Sequence, residues 1–169
     1  LHEIPGAEVA LTTNATLLAS QAEQLAAAGL DRVTVSLDSL DDEVFRSMND
    51  MNFPVAPVLQ GIEVATAAGL GPIKVNAVVR KGVNDHSLVD LARHFRGTEH
   101  IVRFIEFMDV GTKNGWELSQ VVTSKEVIEI IGEEFALEPV DPNYSGEVAS
   151  RYRYVDGEGE IGVISSVSK

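Results

Sequence analysis

The sequence contains no cysteine in its 169 residues. A chain without thiols forms no disulfide, no thiolate zinc site, no iron–sulfur cluster and no cysteine nucleophile of its own. It also lacks a run of about 18 apolar residues, the length that a membrane-spanning helix needs, and it has no secretory signal pattern. These absences argue against membrane insertion and secretion, and we expect a cytoplasmic protein.

Positive charge is also scarce. The chain has 13 Lys and Arg residues against 26 Asp and Glu residues, which leaves a net charge of −13. This balance argues against binding to nucleic acid or to an anionic membrane, because both attract basic surfaces. With 44% hydrophobic and 23% charged residues, the composition is that of an ordinary globular chain of about one domain.

Short β-branched segments alternate with segments of helical period from residue 9 to residue 108. The predicted strands are Val9–Asn14, Arg32–Asp38, Ile73–Val79 and Ile101–Met108. The predicted helices are Thr16–Gly29, Asp41–Asn49, Val58–Gly69 and Ser87–Phe95. This alternation favours right-handed crossovers and a parallel α/β sheet that curves like part of a barrel.

The pattern changes after Met108. A loop rich in Gly and Asn leads to a predicted helix at Ser124–Phe135, and three strand-like segments follow it. These segments, ALEPV, RYRYVD and IGVISSVS, are separated by turn residues such as GEGE, which favours an antiparallel arrangement. We therefore predict two parts, a partial barrel at residues 1–108 and a C-terminal region with a helix and small antiparallel β extension at residues 109–169.

Polar side chains interrupt two strands that should be almost continuously apolar. Lys74 and Asn76 occupy alternate positions of the third strand, and Arg103 lies in the fourth. An unpaired cation inside a doubly covered parallel sheet is unfavourable. One interpretation is structural pairing, of Lys74 with Asp38 or of Arg103 with Glu106. The other is a cavity whose cations bind an anionic ligand such as phosphate, at the sheet edge where ligands bind parallel folds.

The aspartates after the second strand also admit two interpretations. Asp38, Asp41 and Asp42 are close enough in sequence to form a carboxylate cluster for acid–base or metal chemistry. Asp41 and Asp42 precede a predicted helix, however, where capping and the helix dipole explain acidic residues more simply. The histidines are scattered, and we predict no metal site.

Five segments carry a pattern that goes beyond composition. They are LTTNATLLA, DRVTVSLDSLDDEVF, IKVNAVVRKGVND, RFIEFMDVGTKNGW and GEVASRYRYVDGEGEIGVISSVS. Together they resemble the radical S-adenosylmethionine GTP 3′,8-cyclases of molybdenum cofactor biosynthesis. TTN and SLD occur in many radical-SAM enzymes, whereas RFIEFMDVG with a following NGW, then GEVA and ISSVS, is specific. The resemblance covers essentially the whole chain.

The resemblance implies a fold and a set of binding residues. The fold is an incomplete parallel TIM-like (β/α)6 barrel, of which this chain would hold the later four βα units. The GTP-binding residues implied are Thr12, Lys74 and Arg103. The residues implied to bind S-adenosylmethionine are Ser36, Asn76 and Met108.

The resemblance also implies an activity. Its enzymes are lyases that convert GTP to (8S)-3′,8-cyclo-7,8-dihydroguanosine 5′-triphosphate, the first step of molybdopterin biosynthesis, with S-adenosylmethionine and two [4Fe–4S] clusters. The expected partners are GTP, the downstream cyclic pyranopterin monophosphate synthase and, as one option, a second copy of the chain.

Two departures from the family are visible. Neither cysteine motif of the clusters is present, so we expect this chain to be the central part of a cyclase and inactive by itself. Ala15 stands where the family usually has Gly, which would tighten the turn near S-adenosylmethionine.

Three alternatives stay open at this point. The chain could be a degenerate barrel without clusters that serves as a binding module. It could belong to another radical-SAM enzyme that shares TTN and SLD. It could also be an ordinary barrel hydrolase or aldolase that uses Lys74 to form a Schiff base.

Overall fold

A computed structural model describes residues 6–49, 52–108, 118–143 and 146–166 of the chain. The strands are Ala10–Thr13 (β1), Arg32–Ser36 (β2), Lys74–Val79 (β3), Ile101–Glu106 (β4), Leu137–Val140 (β5), Ser150–Tyr154 (β6) and Glu160–Ile164 (β7). The α-helices are Leu18–Ala27 (α1), Asp42–Met48 (α2), Val55–Ala67 (α3), Leu88–Phe95 (α4) and Ser124–Gly132 (α5).

All seven strands form one sheet in the order β1-β2-β3-β4-β7-β6-β5. Strands β1 to β4 pair in parallel with their sequence neighbours, as the alternation of strands and helices predicts. Strands β5, β6 and β7 pair antiparallel with one another. The predicted α/β class, a partial parallel barrel followed by an antiparallel extension, is confirmed.

The position of β7 differs from a simple antiparallel ribbon. This strand pairs in parallel with β4, with Arg103 opposite Gly162 and Phe104 opposite Val163. The last strand therefore extends the parallel sheet by one strand before β6 reverses the direction. Sequence spacing could not show this pairing, because it joins segments about 60 residues apart that no local signal connects.

One face of the sheet is covered by helices and forms the hydrophobic core. We call it the covered face; its strand residues with less than a tenth of their surface exposed include Val33, Val35, Val75, Ala77, Val79, Val102, Phe104, Ile161 and Val163. Helices α1, α3, α4 and α5 supply the opposing layer through Leu18, Val58, Ile62, Leu91 and Ile131. Burial of this apolar surface is the main term that stabilises the fold.

Local signals set the helix starts. Asp41 is the N-cap of α2, and its Oδ1 accepts hydrogen bonds from the backbone N–H groups of Glu43 and Val44. Thr123 and Glu126 form a reciprocal capping box at the start of α5. Capping therefore accounts for Asp41, as the simpler of the two sequence interpretations predicts.

Some predicted boundaries were wrong by a few residues. Helix α3 starts at Val55, three residues before the predicted Val58, because Pro54 occupies the N-cap position and fixes the backbone there. Strand β4 ends at Glu106 and not at Met108. In the part of the chain that the structure describes, no helix has the length and apolar character to cross a membrane.

Candidate functional site

The face of the sheet opposite the helices carries most of the polar residues singled out from the sequence. In β3 and β4, every second residue is buried and each intervening residue is only partly buried. The partly buried set belongs to what we call the open face; the polar residues on it include Thr12, Thr34, Ser36, Lys74, Asn76 and Arg103.

Strand register arranges these residues in two rows across the sheet. Thr12 lies opposite Thr34, which lies opposite Lys74. Two residues further along each strand, Ser36 lies opposite Asn76, and Asn76 opposite Arg103. Because opposed residues in a parallel sheet point to the same side, five of the six predicted binding residues share this face.

Lys74 is a partly buried cation without an ion pair to any described residue. Burial, followed by the nearby guanidinium of Arg103, holds the pKa of Lys74 below its ordinary value. The structural pairing of Lys74 with Asp38 is not formed, since Asp38 Oδ1 accepts a hydrogen bond from the backbone of Val78 at 2.8 Å instead. The pairing interpretation is therefore wrong for Lys74, and binding of an anionic ligand by Lys74 stays a prediction.

Arg103 is held in place beside Asn76. Its Nε donates a hydrogen bond to Asn76 Oδ1 at 2.9 Å, which joins a predicted GTP residue to a predicted S-adenosylmethionine residue. Opposite Arg103 stands Gly162, where an added Cβ would lie only 3.1 Å from Arg103 Cγ. The absence of a side chain at Gly162 thus leaves room for the stem of the arginine.

Pairing of Arg103 with Glu106 was the wrong alternative. Glu106 lies three positions after Arg103 and so projects to the covered face, where only 2% of its surface is exposed. Its Oε1 accepts a hydrogen bond from the backbone of Ser124 at 2.7 Å, and its Oε2 accepts one from Ser166 at 3.1 Å. Glu106 therefore anchors the start of α5 and the chain after β7 to the end of β4.

A cavity of about 610 Å³ opens at the carboxyl ends of β2, β3 and β4. Its lining residues are Asp38, Ser47, Met48, Val78, Arg80, Val83, Ile105, Glu106, Phe107 and Met108. Met108, the sixth predicted binding residue, is 38% exposed and lies on this cavity instead of within the two rows. The Arg80 guanidinium lies 5.0 Å from the centre of the Phe107 ring on the same wall.

Two residues at this edge, Asp38 and Asn84, were not among the six binding residues predicted from the sequence. Asp38 is mostly buried, and this burial raises its pKa to about 6. Asn84 is fully buried and forms hydrogen bonds with backbone groups at the ends of β2 and β3. The only sequence signal for Asn84 is its place in the KGVND segment, since a lone Asn after a strand usually indicates a turn.

Arg151 is a further residue, and a basic one, that the sequence interpretation missed. It lies opposite Gly162 across the β6–β7 pair, and therefore on the same side of the sheet as Arg103. Arg151 is neutralised by an ion pair with Glu160, and both side chains are about four-fifths buried. Sequence spacing gave no indication of this pair, because the register of β6 with β7 decides it.

The turn after β1 contains Ala15 in a left-handed conformation, with φ of 61°. Ala15 is fully buried, and its backbone N–H donates to Thr13 Oγ1 at 3.0 Å. A nearby turn bond joins the Thr16 N–H to Asn14 Oδ1. Alanine rarely adopts this conformation, so the backbone at Ala15 is strained, and the tightening of the turn expected there stays a prediction.

The described residues offer no metal site. No group of three or more His, Asp or Glu side chains in the described ranges could hold a metal ion. The DVGTKNGW part of the most specific segment, residues 109–116, lies outside the described residues, as do residues 167–168 of the ISSVS segment. The described residues of the open face are themselves polar and partly cationic.

Comparison with protein families divides the chain between two profiles. Residues 1–95 match the radical SAM superfamily, and residues 100–169 match Molybdenum Cofactor Synthesis C. The two matches together span β1 to β7, and hence both rows of the open face.

Curated relatives that match this chain are named GTP 3′,8-cyclases. The one from Xanthomonas axonopodis pv. citri is 51% identical over 99% of this chain and 51% of its own length. The one from Acidothermus cellulolyticus is 50% identical over 96% of this chain and 45% of its own length. That from Staphylococcus saprophyticus is 45% identical over 100% of this chain. The chain thus spans about half the length of the relatives it matches.

Solved structures agree on the fold. A radical SAM methyltransferase from Sphaerobacter thermophilus superposes with a TM-score of 0.58 at 18% identity, over 73% of this chain and 37% of that one. A domain of the pyruvate-formate lyase-activating enzyme from Bacteroides vulgatus gives 0.53 at 17% identity, over 76% and 77%. The shared parallel sheet, the profile match and the relatives at about half identity lead to one conclusion: the chain belongs to the radical SAM superfamily, with the resemblance to GTP 3′,8-cyclases confirmed.

Proposed function

We propose that the protein containing this chain converts GTP to (8S)-3′,8-cyclo-7,8-dihydroguanosine 5′-triphosphate in a radical-SAM reaction. The observation that carries the proposal is the identity of 50% and 51% to GTP 3′,8-cyclases over nearly the whole chain.

The open face supports a GTP site at Thr12, Lys74 and Arg103. GTP carries several negative charges on its phosphates, and a guanidinium and an ammonium are the groups that bind them best. Lys74 lacks an anionic partner among the described residues, and in a chain of net charge −13 its position beside Arg103 favours binding of an anion. We infer that the phosphates or other polar parts of GTP bind on the open face at these three residues.

The carboxyl edge supports a neighbouring S-adenosylmethionine site at Ser36, Asn76 and Met108. Met108 lines the cavity at this edge, and Ser36 and Asn76 lie two residues before its lining residues Asp38 and Val78. Its volume of about 610 Å³ is within the range of pockets that hold ligands of this size, roughly 300–1,000 Å³. Its wall combines an apolar surface with a few polar groups, as such ligands require. The hydrogen bond between Arg103 and Asn76 would then bring the two ligands side by side.

The iron–sulfur clusters do not fit the residues of this chain. Such a cluster, when bound, supplies the electron that cleaves S-adenosylmethionine, and it is held by cysteine thiolates. The 169 residues contain no cysteine, so we assign no electron-transfer step to them and expect this chain alone to be inactive. What these residues would do is bind and orient the two ligands.

Several expectations remain predictions. They are the division into residues 1–108 and 109–169, the cytoplasmic location, a homodimer, and a pathway partner in cyclic pyranopterin monophosphate synthase. GTP as substrate rests on the relatives named as GTP 3′,8-cyclases.

The first test is to read the coding sequence on both sides of this segment. A CxxxCxxC motif upstream and a CxxC with a third cysteine downstream would supply the cluster ligands and support the proposal. A start codon immediately before Leu1 and a stop codon after Lys169 would contradict it, and would favour a binding module without clusters.

The second test measures GTP affinity of the complete protein. Lys74→Met and Arg103→Met should each weaken GTP binding by about 10- to 100-fold, since a charged hydrogen bond contributes roughly 1.5–3 kcal/mol. Arg93→Met is the matched control, because Arg93 is an exposed cation on α4. Equal GTP affinity in all three variants would contradict the assignment of the open face.

Lys74 as a Schiff-base lysine is the rival that one observation favours. Burial lowers its pKa, as such a lysine requires. Its neighbours Arg103, Glu147 and Glu160 are charged, however, whereas the rival requires an apolar substrate pocket. Borohydride trapping of a carbonyl substrate on Lys74 would support the rival, and wild-type GTP affinity in Lys74→Met would agree with it.

A further inference from the structure

The carboxyl group of Asp38 is held in one orientation at the carboxyl end of β2. Its Oδ1 accepts a hydrogen bond from the backbone N–H of Val78 at 2.8 Å. Its Oδ2 accepts no hydrogen bond from the part of the chain that the structure describes, and the side chain lines the 610 Å³ cavity. One oxygen is thus fixed by the protein, and the other remains able to accept a hydrogen bond.

Asn84 fixes the backbone on both sides of this carboxyl group. Its Nδ2 donates to the carbonyl oxygens of Asp38 and Val78, each at 2.8 Å. Its Oδ1 accepts from the backbone N–H of Arg80 at 2.8 Å. Asp38, Val78 and Arg80 all line the cavity, so one fully buried amide holds three points of its wall.

Two serines support Asn84 in turn. Ser87 Oγ donates to the carbonyl oxygen of Asn84 at 2.9 Å and lies 3.3 Å from Ser39 Oγ. Ser39 is fully buried directly after Asp38. The loop after β2 and the turn after β3 are therefore tied together twice, by an amide and by a pair of hydroxyl groups.

An aspartate is an unfavourable choice at this position for stability alone. The burial that raises its pKa to about 6 acts against the charged form, and a single backbone hydrogen bond offsets only part of that cost. An asparagine could accept the same hydrogen bond from Val78 without a charge. A mostly buried carboxyl group with one available oxygen in a cleft is a pattern found at ligand sites.

We propose that Asp38 is a further ligand-binding residue of this site, and that Asn84 is the residue that positions it. Asp38 Oδ2 accepts a hydrogen bond from a hydroxyl or ammonium group of a nucleoside-type sulfonium ligand in the cavity. Phe107, Met108 and Ile105 offer the apolar wall for the remainder of that ligand. The inference rests on the proposed function, because it deepens the assignment of this edge to S-adenosylmethionine.

The test is calorimetric titration of the complete protein with S-adenosylmethionine. Asp38→Asn should weaken its affinity by about 10-fold or more, because the variant offers no anionic acceptor. Asp31→Asn is the matched control: Asp31 lies at the other end of the same strand and also accepts one backbone hydrogen bond, from Val9 at 2.7 Å. D31N should change the affinity by less than about 2-fold.

The outcomes separate the inference from the proposed function. If wild-type protein binds S-adenosylmethionine and D38N binds it equally well, the inference is overturned while the proposed function stands. If wild-type protein does not bind S-adenosylmethionine, the proposed function fails and the inference fails with it. Loss of affinity in D38N alone, with D31N unchanged, supports both.

A double-mutant cycle tests the role of Asn84. If Asn84 acts through Asp38, Asn84→Ala should weaken binding in the wild-type background and have little further effect in D38N. Equal loss in both backgrounds would overturn the positioning role and leave a merely structural one. If N84A does not fold, Ser87→Ala, which removes the hydroxyl bound to the Asn84 carbonyl oxygen, replaces it in the same cycle with the same expected result.

Discussion

The two faces of the sheet are built from the same strands, but one is packed under helices and the other carries polar, partly exposed side chains. On the covered face of β4, Val102 and Phe104 are each 1% exposed and pack under the helices. On the open face of the same strand, Arg103 and Ile105 are only partly buried. Alternation along a strand therefore lets six residues hold the fold and present the site at the same time.

The faces also differ in what their residues contribute to stability. Apolar burial on the covered face stabilises the folded state. The open face and its carboxyl edge instead hold ionisable groups whose burial costs folding free energy, as their shifted pKa values indicate. Burial lowers the pKa of Lys74 and raises that of Asp38, so both charged forms are disfavoured in the folded protein. This loss of folding free energy is typical of a site that binds a ligand of opposite charge or a hydrogen-bond donor.

The largest effect should follow a change on the covered face. Phe104→Ala should lower the free energy of unfolding by about 3–5 kcal/mol, because it opens a cavity in the core. Ile105→Ala, the next residue on the open face, should cost clearly less, since its side chain is only partly buried. Denaturant unfolding of both variants measures the difference, and equal losses would mean that the two faces are not distinct in packing.

The next largest effect is expected from removing the buried charge of Asp38 at the carboxyl end of β2, and this change should stabilise the protein. Because the folded-state pKa of Asp38, about 6, lies above the ordinary 3.8, the carboxyl group favours folding when protonated, below pH 3.8. This contribution is lost as the pH rises through 6. Above that pH, Asp38→Asn should raise the free energy of unfolding by up to about 3 kcal/mol.

The pH dependence provides the control for that variant. The advantage of D38N over wild type should shrink as the pH falls from about 7.5 to about 5. Arg80 and Glu106 line the same cavity and are common to both proteins, so the difference isolates Asp38. An advantage that stays constant with pH would show that it does not arise from titration of this carboxyl group.

A smaller loss of folding free energy is expected where Gly162 of β7 lies opposite Arg103 of β4. Gly162→Ala would place a Cβ 3.1 Å from Arg103 Cγ and 3.4 Å from Ala149 Cβ, which should cost about 1–3 kcal/mol. Gly132→Ala in α5 is the control, because nothing lies within 4 Å of its added Cβ. That control should be neutral or up to about 1 kcal/mol more stable. Thermal unfolding distinguishes the two variants, and equal melting temperatures would show that the Arg103 side chain is not closely packed against Gly162.

The smallest effect is expected at the turn after β1. Ala15→Gly relieves the left-handed backbone at φ of 61° but removes a fully buried methyl group that packs near Gly61. The two contributions are each about 1 kcal/mol and opposite in sign, so the net change should stay below about 1 kcal/mol. A larger gain in denaturant unfolding would show that strain dominates this turn.

The sequence predicted a good part of the fold and of the open face. The period-two pattern of β3 indicated that Lys74 and Asn76 share a side, and the structure shows that they do. Arg103 lies on the same side, because the parallel register places it opposite Asn76, and a shared binding role for the three residues stays a prediction. The residues that no local pattern marks were missed, such as Arg151, whose place depends on the β6–β7 register.

Asn84 shows most clearly why the remainder could not be predicted. Its three hydrogen bonds reach Arg80 and Val78 on one strand end and Asp38, which is 46 residues away in sequence. A sequence pattern records only that an Asn follows a strand, which is typical of any turn. The role proposed for it depends on the distance between two strand ends, and only folding sets that distance.

The sequence by itself determined the alternation of buried and open positions, the order of strands and helices, and the motifs that relate this chain to radical SAM proteins. These are local properties, fixed by side-chain period and by residue identity. The tertiary structure decided that β7 joins β4 in parallel, that Gly162 faces Arg103, and that Asn84 ties Asp38 to the edge of a cavity. These features join segments far apart in the chain, and their geometry exists only once the strands have paired and the helices have packed against the covered face.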